Sequence, residues 1–202
     1  RSRLDEYVRM YVDICKKVHS IHTNDPEIPS FKEQNRADIA NIRGITEEER
    51  TCLHRFLDLV PDGSTCIHGD LNINNIMVQD GECCLIDMGE LSTGTPLFDL
   101  SRIVFSMVYA NTAPGEFNGF YKMTSEEITE IYEKFFCGYF GCSSEEEAEK
   151  SCPDIRWLHP LAWFRCCTSM LKGDRWPAEK RELALNLLRI RLLPFVRAQA
   201  EK

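Results

Sequence analysis

Two carboxylates and one carboxamide stand in a short stretch at spacings that phosphate chemistry would use. The stretch reads Ile67-His68-Gly69-Asp70-Leu71-Asn72-Ile73-Asn74-Asn75-Ile76-Met77 and, after a gap, Leu85-Ile86-Asp87-Met88-Gly89-Glu90. Phosphoryl transfer asks little covalent chemistry of a protein. It asks for Mg²⁺ held against the phosphates and for a group that orients the attacking hydroxyl and takes its proton. Hard cations take oxygen ligands, which Asn75 and Asp87 supply, leaving Asp70 to face a hydroxyl. A lone His-Gly-Asp would mean little, because Asp and Asn beside turns mostly cap and bend backbone. No Ser or Cys elbow accompanies His68, so a nucleophile-activating or metal-binding histidine is a poor fit there.

These residues need loops held up by regular elements. Short β-type runs at residues 65–67, 76–78 and 83–86 surround them, and Asp80-Gly81 supplies a hairpin turn between the last two. The rest of the chain reads as helix. Leu4, Tyr7, Val8, Tyr11, Ile14, Cys15, Val18 and Ile21 recur at three- and four-residue steps and predict a first helix that stops before Pro26. A shorter pattern over 31–42 ends at Gly44, and Thr46-Glu47-Glu48-Glu49 predicts a capping box for a helix with Cys52, Leu53, Phe56, Leu57 and Val60 inward. Helix returns after Asp99 through Ala110, followed by a loop over 111–122. Thr124 opens another helix, with Ile128, Ile131, Tyr132, Phe135 and Phe136 on its inner face. The acidic run 145–149 reads as a solvated helix start ended by Pro153. Helices are then expected over 155–171 and from Ala178 to about Leu193, the latter with Leu183, Leu187 and Leu188 inward and Pro194 kinking or ending it.

Composition narrows the class. The chain has 202 residues, 43% hydrophobic and 28% charged, ordinary for one globular core and unlike collagen, coiled coil or long disorder. With 24 basic and 32 acidic residues the formal charge is −8, and no basic stripe is present, so no nucleic-acid partner is expected. The most apolar stretch, 103–110, is far shorter than the ~20 residues that span a bilayer, so no membrane partner is expected either. Ten cysteines fall below the ~8–10% of a disulfide scaffold, and their adjacent pairs Cys83-Cys84 and Cys166-Cys167 lack zinc-ribbon spacing. They read as apolar fillers in a reducing compartment, and with no signal-peptide pattern the expected location is cytoplasmic.

The motifs together carry a resemblance. His68-x-Asp70-x-x-x-x-Asn75 has the spacing of the protein-kinase catalytic loop, and Asp87-Met88-Gly89 is similar to the Asp-Phe-Gly element. The fuller string His-Gly-Asp-Leu-x-x-x-Asn-Ile, then Ile-Asp, then Gly94-Thr95-Pro96-Leu97-Phe98-Asp99-Leu100, resembles the aminoglycoside phosphotransferase and choline kinase-like family more closely. So does Val18-His19-Ser20-Ile21-His22 at the end of the first helix. The resemblance implies a protein kinase-like fold, α+β and mainly helical, represented by its large C-terminal lobe with short β-hairpins carrying the catalytic and Mg-binding loops. It implies that Asp70 is the catalytic base, that Asn75 and Asp87 hold Mg²⁺ and through it the nucleotide, that His68 shapes the loop, and that Asp99 braces it. The cofactors implied are Mg²⁺ and ATP or GTP. Ile73-Asn74 stands where the family often has Pro-Gly; Asn tolerates left-handed backbone, so Asn74 can stand in for Gly at modest cost. Thr95 stands where Asp is frequent.

A phosphate-covering glycine loop and a strand lysine, which such an enzyme also needs, do not precede the first helix. All 202 residues are therefore read as a C-terminal catalytic and substrate lobe whose N-terminal nucleotide lobe, on the order of ~100 residues, is absent here and belongs in the same polypeptide. The expected activity is transfer of the γ-phosphate of ATP or GTP to a hydroxyl of an amino sugar, amino alcohol or related metabolite, the acidic balance suiting a cationic substrate. The alternative is a kinase-like binding module without catalysis. His19, His22, His54 and His159 are expected to be packed or surface residues, and Trp157, Trp163 and Phe164 to be core.

Overall fold

The computed structural model describes residues 2–109, 123–173 and 175–200. The chain is mainly helical, with two small antiparallel sheets. Helices α1 (Ser2–His19), α2 (Phe31–Ala40) and α3 (Glu47–Leu59) come first. Strands β1 (Thr65–Ile67), β2 (Ile76–Gln79), β3 (Glu82–Leu85) and β4 (Ser92–Gly94) follow. Helices α4 (Leu97–Val104), α5 (Ser125–Phe140), α6 (Glu145–Ser151), α7 (Leu158–Leu171), α8 (Ala178–Leu187) and α9 (Leu193–Ala200) complete the described chain. The loop expected over 111–122 lies outside the described residues.

Local chemistry accounts for the element starts. Thr46 and Thr124 each accept from the backbone N–H three residues on, and Glu49 and Glu127 reach back to the capping residue, so both boxes are complete. β2 and β3 pair from Ile76↔Leu85 to Gln79↔Glu82. Between them Asp80 and Gly81 both take positive φ, 52° and 81°, as a two-residue hairpin turn of matching twist requires. β4 is a strand that alternation does not reveal; it pairs with β1 through Cys66↔Thr93 and thereby places the chain leading to α4 beside the start of the loop that carries His68 and Asp70.

One apolar core joins the helices. Phe56 stacks on Phe164 at 5.1 Å, Trp157 meets Phe56 edge-on at 6.0 Å, and Phe31 lies 4.3 Å from Phe98. Trp157 and Phe164 are buried core residues, as expected, whereas Trp163 is half-buried. All ten cysteines are free thiols. Burial pushes the Cys166 thiol up to about 12, and the Cys15 and Cys167 thiols are also raised by burial, which suits packing and not reactivity.

Several helix expectations are corrected. In α1 the inner face is Val8, Tyr11, Val12, Cys15 and His19, while Tyr7 and Ile21 are exposed and the helix stops at His19. The helix expected over 155–171 is a 3₁₀ segment, Pro153–Trp157, followed by α7. On α8 Leu183 faces solvent and Ala184 is buried in its place. The Cys167 thiol donates to the Ala184 carbonyl at 3.3 Å, and so close an approach of α7 and α8 leaves room for a methyl but not for a leucine. Of the two alternatives expected at Pro194, a kink or an end, the helical path does not end there. A π-helical turn, Leu188–Leu192, precedes it and α9 carries on; the wider turn accommodates the missing proline N–H.

Candidate active site

The expected residues gather on the loop between β1 and β2 and on the turn after β3. Asp99, at the first turn of α4, is fully buried and its carboxylate faces that loop. Its Oδ2 accepts from the His68 backbone N–H at 2.7 Å and its Oδ1 from the Gly69 N–H at 2.8 Å. The same Oδ2 accepts from His19 Nε2 at 3.1 Å, and His19 Nδ1 lies 2.7 Å from the Tyr139 hydroxyl. A carboxylate only accepts, so Nε2 of His19 carries a proton and the tyrosine donates to Nδ1. Burial raises the Tyr139 phenol, which keeps that donor in place. The histidine expected to be simply packed thus ties α1 and α5 to Asp99.

His68 is also fully buried. Its Nε2 lies 2.9 Å from the Ile86 carbonyl and its Nδ1 accepts from the Asp70 N–H at 3.3 Å, an assignment forced by the carbonyl being an acceptor only. The imidazole therefore spans from the loop to the turn that carries Asp87. Gly69 has φ +84°, and a Cβ there would stand 2.3 Å from the Glu90 carbonyl oxygen. Gly69→Ala is expected to cost at least about 2–3 kcal/mol of stability through left-handed strain and that collision. Urea unfolding of the two proteins measures it, and a midpoint shift near zero would refute the tight approach of loop and turn.

Asp70 is one-third exposed. Its Oδ1 accepts from Arg102 Nε at 2.6 Å, and its Oδ2 has only a long contact, 3.3 Å, from Asn75 Nδ2. Asn75 Nδ2 also donates to the Asp70 carbonyl at 2.8 Å, and Asn72 does so at 3.1 Å. With its amino group used inward, the buried Asn75 side chain keeps its amide oxygen for another partner. The Asn75 carbonyl accepts from Ile86 N–H at 2.9 Å, which sets Asp87 one residue beyond a direct tie to Asn75. Asp87 is exposed, has left-handed backbone at φ 61°, and makes no hydrogen bond among the described residues. Asn74, expected to take the left-handed conformation, lies instead in a 3₁₀ turn, Ile73–Asn75, whose N-cap Asn72 side chain accepts from Asn74 N–H at 3.0 Å. Among the described residues other than glycine, left-handed backbone falls at Asp80 and Asp87.

An amide oxygen and an unpaired carboxylate on adjoining backbone are the hard oxygen donors that Mg²⁺ takes when phosphates and water complete its shell. Among the described residues no group of three or more His, Cys, Asp or Glu could hold a metal by itself. The side chains of Met77 and Val78 on β2, and of Ile86 and Met88 on either side of Asp87, are exposed.

Two arginines complete the surroundings, and spacing along the chain flags neither as part of the site. Arg102 is the partner of Asp70. Arg165 on α7 donates from Nη2 to the Gly69 carbonyl, lies over the Phe31 ring at 5.0 Å, and has a buried Nη1 with no partner among the described residues. Burial, with Arg102 nearby, lowers its pKa to about 10, still leaving it cationic at neutral pH. The one local hint for Arg102 was its place three residues after Asp99, on the next turn of the same helix.

Residues 2–130 match the family described as the phosphotransferase enzyme family, APH, and the chain belongs to that family. A curated relative, the probable bifunctional tRNA threonylcarbamoyladenosine biosynthesis protein of Methanoculleus marisnigri, is 36% identical over 77 residues. That match covers 38% of this chain and 13% of the relative. Among the described residues no helix is long and apolar enough to cross a membrane.

Proposed function

We propose that this chain is the catalytic and substrate lobe of a protein kinase-like small-molecule kinase that moves the γ-phosphate of ATP or GTP to a hydroxyl. The observation that carries the reading is the division of labour around Asp70. Arg102 fixes one carboxylate oxygen, the other stays open, and Asn75 is tied to the same residue with its amide oxygen spare. Membership of a phosphotransferase family supports it.

In this reading Asp70 Oδ2 accepts the hydroxyl proton as the oxygen attacks, and the peptide N–H bonds to Asp99 keep the Gly69-Asp70 turn from moving as charge develops. Asn75 and Asp87 would hold Mg²⁺, which when bound neutralises phosphate charge. His68 fixes the distance between the loop and the Asp87 turn. Ile86 and Met88, exposed on either side of Asp87, would face a nucleotide-binding lobe of the same polypeptide, a cover that exposed apolar side chains favour.

The test is transfer of label from γ-labelled ATP or GTP to a set of hydroxyl acceptors by the full gene product. Transfer should need Mg²⁺, and Asp87→Asn should lower turnover by roughly 10–100-fold and raise the Mg²⁺ concentration needed. Nucleotide and acceptor binding without any transfer would instead support a binding module.

A further inference from the structure

We infer that Arg102 makes the acceptor subsite selective for a hydroxyl compound bearing an anionic group, a carboxylate or phosphate, over one bearing an ammonium. The inference rests on the reading of Asp70 as the group facing the acceptor and deepens it. Arg102 spends only Nε on Asp70, at 2.6 Å, and its side chain is 28% exposed. Its guanidinium carbon lies 5.5 Å from the Phe105 ring centre, so the plane is held by the carboxylate at its edge and by an aromatic face. Neither Nη group has a hydrogen-bond partner among the described residues. Up to four N–H donors are thus presented in a fixed fork beside the one carboxylate oxygen that is open to a hydroxyl, and such a fork suits a carboxylate or phosphate in bidentate fashion.

The charge balance points the same way. The nearest buried carboxylate, Asp99, is consumed by two backbone N–H groups and His19. Asp70 is paired with Arg102, and Arg165 adds a second cation behind the loop at Gly69. An acceptor ammonium close to Asp70 would meet a guanidinium first. Two uncommitted carboxylates remain on the adjoining turn among the described residues: Asp87, which the proposed function assigns to Mg²⁺, and Glu90, exposed where the turn's backbone abuts Gly69. The overall charge of −8, which by itself suits a cationic acceptor, is thus offset at Asp70 itself, where Arg102 already pairs the carboxylate.

The experiment compares acceptors of matched skeleton, glucuronate with glucose and glucosamine, and glycerate with glycerol and serinol. Each is measured for phosphoryl transfer and, by calorimetry in the presence of a non-hydrolysable nucleotide, for binding to the full gene product. The anionic member of at least one set should have the highest kcat/KM and the tightest binding. Arg102→Gln, which also takes from Asp70 its ion-pair partner, should lower kcat for every acceptor, and in addition should raise KM for the anionic member on the order of 10–100-fold with a change of about twofold or less in KM for the neutral member. Arg102→Lys should recover part of the loss. A preference for the ammonium member that Glu90→Gln abolishes would overturn the inference, as would an equal change in KM and in binding for all three members in Arg102→Gln, the mark of an arginine that only positions Asp70. Failure of every anionic acceptor to bind would overturn it as well. Absence of transfer to any acceptor, with Arg102-dependent binding of an anionic one intact, would sink the kinase reading and leave the inference standing.

Discussion

Asp70→Asn is expected to lower kcat of the full gene product by roughly 10²–10⁴, about 3–5 kcal/mol of barrier, with little change in KM for either substrate. The substitution keeps the shape of the side chain, and an amide oxygen can still accept from Arg102 Nε, so the ion-pair partner is not left bare. What disappears is the basicity of the oxygen that is open in the structure. Because the side chain is 31% exposed, the fold should tolerate the change, and unfolding should shift by less than about 1 kcal/mol. Steady-state kinetics beside a urea titration separates the two effects. Turnover close to that of the parent would remove Asp70 from the chemistry, and with it the division of labour on which the functional reading stands.

The second large effect concerns stability. Asp99→Ala removes an acceptor from three donors at once, the N–H groups of His68 and Gly69 and His19 Nε2, at a position with no solvent exposure. Each orphaned buried donor costs about 1–3 kcal/mol. The contributions share one carboxylate and do not simply add, so a loss of about 3–5 kcal/mol is expected. That is a large share of the ~5–15 kcal/mol that stabilises a domain. Asp99→Asn should lose less, since one oxygen remains to accept while the new amino group opposes a donor. Chemical unfolding of both variants measures the series. A midpoint for Asp99→Ala within about 1 kcal/mol of the parent would show that water or rearranged backbone replaces the carboxylate.

Asp70, Asn75, Asp87, His68 and Asp99 could be picked from the sequence because each lies in a short motif whose spacing is itself informative. The hairpin turn at Asp80-Gly81 and the Thr46 box are local in the same sense, depending on residues one to three positions apart. Arg102, Arg165 and His19 could not be placed that way. Their contacts reach across 32, 96 and 80 residues, and no periodicity encodes which helix will lie against which loop. The roles of the motif residues remain proposals even where their geometry is now plain.

The misread helices have physical causes as well. Leu183 and Leu187 form one four-residue stripe and Ala184 and Leu188 the next, and hydropathy favours the leucines. The close approach marked by Cys167 and Ala184 selects the smaller side chain. At Pro194 the helical path goes on because the preceding turn is π-helical, so the alternative that the proline ends the helix does not hold. Strand β4 was hidden because a three-residue strand, Ser-Thr-Gly, has almost no pattern to show.

The hydrogen-bond chain from Tyr139 through His19 and Asp99 to the peptides of His68 and Gly69 has a topological side. Its links join residues 120, 80 and about 30 positions apart in sequence. Loop-closure entropy must be overcome before such links form, so the His-Gly-Asp turn takes its final shape only after α1, α4 and α5 have docked. For all its local appearance in the sequence, the loop is a late product of assembly, and its geometry reports whether the first and fifth helices have found each other.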